Sequence, residues 1–144
     1  MRSPYNGPMT FTERSPGPQL SVADVFLGHL AARDFDQLAL LFEPDISLSA
    51  LLPEGLHEWQ GPERVSAAFA MWFGSVDEYE LVDAVAGHVG PRLNLRWRAR
   101  VRGGGFGDSS FVVEQHVYAD RGPSGRIQAL SMLCSGFALE RRGE

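Results

Sequence analysis

At 144 residues, with 44% hydrophobic and 22% charged side chains, the sequence has the size and apolar content of one packed domain, which excludes global disorder and a second full domain. Its formal net charge of −5 opposes nucleic-acid phosphates, and its 13 basic residues are all arginine, which leaves no lysine for Schiff-base or lysine-base chemistry. One cysteine, Cys134, and four scattered histidines provide neither an internal disulfide nor ligand spacing for a metal, so no metal and no cofactor are expected. No window approaches the ~18 uninterrupted apolar residues of a membrane-spanning helix, and residues 1–19 lack the apolar run of a signal peptide. The expectation is a soluble cytoplasmic chain that binds neither membrane nor nucleic acid.

Residues 1–19 carry Pro4, Pro8, Pro16 and Pro18 with Gly7 and Gly17, a spacing that reads as a flexible arm ahead of a domain over residues 20–140. Ser21, with Asp24 three residues on, is an N-cap for a helix over about 21–32 whose Val22, Val25, Phe26, Leu27 and Leu30 share one face. Asp34 caps a second, short helix carrying Phe35, Leu38, Leu41 and Phe42, and Pro44 stops it. The period then changes to two from Ile46 to Leu52, and Pro53-Glu54-Gly55 turns the chain into Leu56–Gln60, which predicts a β-hairpin. Gly61, Pro62 at the first helical position, Glu63 and Gly74 delimit a third helix around Val65–Phe73.

Four long strand-like segments follow, Tyr79–Val89, Arg92–Arg102, Ser110–Ala119 and Arg126–Leu139, with turns that suit a meander. The glycines at 103–105 and 107 precede a valine-rich strand where a phosphate cradle would need a helix, so they read as a hairpin turn.

Three short runs carry a family resemblance. Ala32–Leu38 with Leu41–Asp45, then Gly61-Pro62-Glu63-Arg64-Val65, then Gly125-Arg126-Ile127-Gln128, fall in order between the right elements and cover roughly residues 20–139. They resemble the SnoaL-like, nuclear-transport-factor-like and ketosteroid-isomerase-like superfamily. The resemblance implies a cone-shaped α+β fold, in which three helices pack on a strongly curved antiparallel sheet that encloses one pocket.

Alternation says which strand residues would face that pocket. Leu93, Leu95, Trp97, Ala99 and Val101 share one face against Asn94, Arg96, Arg98, Arg100 and Arg102, and Phe111, Val113, Gln115 and Val117 face inward on the next strand. The expected lining is Phe26, Phe42, Ala50, Phe69, Leu95, Trp97, Gln115, Val117 and Met132. Carrying the isomerase pattern across, the general base falls on Ala50, the oxyanion tyrosine on Phe26, its supporting tyrosines on Phe42 and Phe69, and the protonated aspartate on Gln115. Each ionisable group of that machinery is replaced, so steroid isomerisation is not expected.

What chemistry remains rests on Asp83, which strict alternation from Tyr79 and Leu81 sends to the concave face as a lone carboxylate. Asp83, Tyr79 and Gln115 are the candidate catalytic residues, while an Asp bonded to backbone at a strand end or bulge is the structural alternative. His57 lies beside the expected mouth, His88 and His116 read as outer-face groups, and Cys134 reads as a buried apolar thiol.

Two functional classes stay open. One is a cofactor-free cyclase, isomerase or dehydratase acting on an apolar carbonyl or polyketide-like molecule. The other is a non-catalytic small-molecule-binding or protein-interaction module of the same fold. Cross-strand opposite charges, with Ile127, Ala129 and Leu133 read as outward, further suggest a homodimer through the convex sheet face.

Overall fold

Ser21 opens the first helix: its Oγ accepts the Asp24 N–H at 3.1 Å, and α1 runs Val22–Ala31 with Ala23, Phe26 and Leu30 buried. The computed structural model describes residues 21–140, and the arm read at residues 1–19 lies outside them. Asp34 caps α2 (Phe35–Ala39) through the Gln37 N–H at 3.2 Å. Between the helices Arg33 adopts φ 55°, a conformation that costs a non-glycine residue strain, and its guanidinium donates to the carbonyls of Phe73 at 3.1 Å and Val76 at 2.9 Å. One side chain thus ties the α1–α2 corner to the end of the third helix.

The second helix is shorter than the sequence suggested. Phe42 and Pro44 already belong to β1 (Phe42–Leu52), because the Leu41 carbonyl is taken by the Ile127 N–H at 2.8 Å and Phe42 pairs with Ile127. Pro44, which has no N–H to give, falls in the interruption of register between Phe42 and Ser47. Hairpin partner β2 (Gly55–Gln60) pairs with β1 from Ser47↔Gln60 to Leu52↔Gly55, and α3 (Pro62–Phe73) begins and ends at the expected glycines.

Strands β3 (Glu78–Val89), β4 (Arg92–Arg102), β5 (Ser110–Arg121) and β6 (Ile127–Cys134) form the expected antiparallel meander. A 3-10 turn at Gly104–Phe106 joins β4 to β5, and Gly103 before it (φ 89°) has no room for a side chain, since a Cβ there would sit 2.2 Å from the Asp77 carboxylate. The final segment is two strands instead of one: β7 (Ala138–Leu139) is set off by a bend at Gly136, φ 77°, and pairs with β5 beyond the end of β6. The strand order is β2-β1-β6-β5-β4-β3. The sheet is mixed, because β1 lies parallel to β6 while the other pairings are antiparallel.

Concave-face residues of the sheet and the inner faces of the helices share one core. Phe26, Phe42, Phe69, Trp97, Leu48, Leu95 and Leu130 are among its fully buried side chains. At about 1.5–3 kcal/mol for each large apolar side chain removed from water, this aromatic interior is the main term holding helices to sheet. Ile127, read as outward, is fully buried, because its partner Phe42 faces inward at the start of β1. No helix among the described residues is long and apolar enough to cross a membrane.

Candidate functional site

The nine side chains expected to line a pocket do converge, and they pack on one another. Ring centroids lie 5.8 Å apart for Phe26–Trp97, 5.8 Å for Phe26–Phe69, 6.4 Å for Phe26–Phe42 and 6.3 Å for Phe69–Trp97. Phe26, Ala50, Phe69, Leu95, Gln115 and Val117 expose no surface, Phe42 and Trp97 1% each and Met132 5%. A ligand touching these residues would have to part the rings, at a cost comparable to opening a cavity in a packed core.

Gln115 is the polar side chain among these nine, and both ends of its amide are hydrogen-bonded. Its Oε1 accepts the Trp97 indole N–H at 2.8 Å, and its Nε2 donates to Cys134 Sγ at 3.3 Å. Tyr79 is likewise committed: its hydroxyl donates to the Leu30 carbonyl at 2.8 Å, burial pushes the phenol well above its ordinary range, and the Arg33 charge 5.3 Å from its ring only partly opposes this. The Tyr79 hydroxyl proton is thus directed at backbone, and Gln115 keeps one Nε2 hydrogen beyond these two bonds.

Asp83 is not in the interior. Leu81 pairs with Ala99 and Asp83 with the very next residue back, Arg98, so Val82 is one extra residue in β3. That bulge reverses the alternation: Tyr79 and Leu81 face inward, whereas Asp83 is exposed on the convex face, 4.0 Å from the Arg96 guanidinium. By the same reversal His88, read as an outer-face group, lines up with Ala84 and Ala86 opposite the concave residues Leu93, Trp97 and Leu95. Period-two reasoning has no means of anticipating a bulge that leaves no glycine or proline behind.

Just beyond the aromatic core lies an open recess of about 340 Å³, lined by Leu52, Pro53, Glu54, Trp72, Cys134, Ser135, Gly136 and Phe137. Trp72 lines it and makes edge-to-face contacts with the core residue Phe69 at 5.4 Å and with Trp59 at 5.7 Å. Cys134 links the recess to Gln115. Next to the recess His57 stacks on Trp59 with centroids 6.0 Å apart and places Nε2 3.5 Å from Glu54. The sequence had given Pro53-Glu54 only as a turn, Trp72 as part of a helix and Phe137 as part of one continuous strand. The bend at Gly136 is what brings them together, and a Cβ there would come within 2.6 Å of Pro53.

Helices in front of a bent sheet, in this order and with this aromatic interior, can be compared with solved structures. No family model and no curated protein matches the sequence. A protein from Catenulispora acidiphila with a ketosteroid-isomerase-like fold, solved in complex with trimethylamine, superposes with a TM-score of 0.64 at 14% identity over 80% of this chain and 85% of that one. The fold is SnoaL-like. Two further neighbours are a protein named as a polyketide cyclase from Xanthomonas campestris (TM-score 0.61, 14% identity, 78% and 86% covered) and one named as a SnoaL-like polyketide cyclase from Shewanella denitrificans (0.61, 14%, 79% and 88%). On the SnoaL-like scaffold function varies with the site and not with the fold, so these likenesses speak to architecture.

Proposed function

We propose that the protein is a small-molecule-binding module of SnoaL-like fold whose ligand sits in the recess against Trp72 and Phe137, and that it does not carry out isomerase-type acid–base chemistry. The observation that carries this reading is the state of the interior polar groups. Gln115 is bonded to Trp97 and Cys134 and exposes no surface, the Tyr79 hydroxyl is bonded to Leu30, and Ala50 offers no base. An enolising enzyme needs a base within reach of its substrate and donors aimed at a developing oxyanion. The recess offers instead what a binding site needs, apolar walls with one charged group at the edge. That one neighbour of this fold holds trimethylamine supports a small molecule as the scaffold's ligand.

The test is a titration with small aromatic ketones followed by the Trp72 indole N–H resonance and by product analysis. Saturable movement of Trp72 with no product is the expected result. Turnover at an enzyme-like rate overturns the reading in favour of a cyclase or isomerase.

A homodimer through the convex face forms a second part of the proposal, favoured by one observation. Leu56, Leu51 and Leu133 occupy a straight cross-strand row on β2, β1 and β6, and each is about half exposed or more. Three adjacent exposed leucines on a sheet surface suit the centre of an interface, with the Arg98–Glu114 pair of 2.9 Å at its edge.

A further inference from the structure

We infer that the ligand of the recess is a small organic cation, its apolar body on Trp72 and Phe137 and its charge toward Glu54; this rests on the recess being the binding site. Glu54 is the charged residue among those lining the recess, and it is a carboxylate. Its situation differs from that of the four glutamates that face the arginines of β4. Glu78, Glu80, Glu114 and Glu140 are each held by an arginine, from Arg102, Arg100, Arg98 and Arg100 in turn, at 2.7–3.3 Å. Glu54 has His57 at 3.5 Å, a partner that carries charge only when protonated. Among the described residues no arginine pairs with Glu54, so a ligand ammonium can approach it without displacing a guanidinium from among them.

The remaining walls suit a cation with a greasy surface. An indole is the strongest aromatic partner for a quaternary ammonium, which sheds water more easily than a primary amine does. Pro53, Leu52 and Cys134 add apolar contact and bring no positive charge. A carboxylate ligand would meet Glu54 as a like charge, and a neutral one would leave it unused. The chain's net charge of −5 adds a weak field of the same sign.

The discriminating probes are choline and 3,3-dimethylbutan-1-ol, which have nearly the same shape and differ in charge, titrated into the whole protein by calorimetry and by the Trp72 indole N–H resonance. Choline is expected to bind roughly tenfold tighter than the alcohol, the scale of one cation–aromatic contact plus one exposed ion pair. Glu54→Gln should reduce that preference severalfold while leaving the alcohol's affinity and the melting temperature unchanged. Equal binding of the two probes, or a preference untouched by Glu54→Gln, overturns the assignment of a cation and leaves the recess as a neutral-ligand site. Failure of both probes, and of aromatic ketones, to move Trp72 up to their solubility limits removes the recess reading itself.

Discussion

The indole N–H of Trp97 points at the side-chain oxygen of Gln115 across 2.8 Å, and both residues are buried and directly paired on adjacent strands. In an apolar interior a donor or acceptor without a partner costs about 1–3 kcal/mol, so each of these side chains makes the other tolerable. Gln115 stands where the resemblance put a protonated aspartate, and its side chain is bonded to Trp97 and Cys134.

Gln115→Leu should destabilise the protein by about 1–3 kcal/mol, because it orphans the indole N–H. Trp97→Phe introduced afterwards should cost less in the Gln115→Leu background than in the wild type. Urea unfolding of the four proteins in a double-mutant cycle measures the difference. A coupling near zero would mean the hydrogen bond contributes nothing to stability.

Much of this arrangement was legible in the sequence, and the exceptions have definite causes. Trp97, Gln115 and Leu95 were placed inward because β4 and β5 alternate without interruption. Asp83 was misplaced because a one-residue bulge at Val82 inverts everything after it. The hydrogen bonds that occupy Gln115 and Tyr79 reach Trp97, Cys134 and Leu30, partners distant in sequence that no local pattern reveals. The recess escaped notice for a related reason: it is assembled from a hairpin tip, the carboxyl-terminal half of α3 and a bend after β6.

Reintroducing the missing base should not restore chemistry. Ala50 exposes no surface and pairs with His57 and Met132, so Ala50→Asp sets a carboxyl among apolar groups. We expect a loss of at least roughly 2 kcal/mol in stability and no isomerisation of an unsaturated ketosteroid. Enzyme-like turnover by either the variant or the wild type would contradict the account of a sealed interior.

Acid should weaken the convex face in a defined window. Hydrogen bonds from Arg98 and then His116 hold the Glu114 carboxyl below its ordinary 4.5. A depressed carboxylate stabilises the fold above its unfolded value and loses that contribution as pH falls through the folded one. The melting-temperature advantage of the wild type over Glu114→Gln should therefore be full above about pH 5 and vanish as the solution becomes more acidic. A difference that is flat across that range would assign Glu114 no ionic role.

Leu133→Glu and Leu51→Glu each place a charge in the exposed leucine row, without touching the core. If the convex face joins two copies, the wild type should show twice the chain mass by light scattering and either variant should show the chain mass. A wild type of chain mass at tens of micromolar, roughly the range where weak dimers already form, would remove the interface from consideration.

The parallel pairing of β1 with β6 has a consequence for how the chain reaches this state. Among the described strands β1 comes first, flanked on one side by the hairpin partner that follows it at once and on the other by β6, which is made only after β3, β4 and β5. Until β6 arrives, one long edge of β1 and the aromatic faces of α1 and α3 have no lasting cover, while the β3–β4–β5 meander can form locally. Emergence from the ribosome is thus the interval in which this protein is most open to capture by chaperones or by its own neighbours, and truncation before Ile127 should yield aggregates instead of a smaller folded unit.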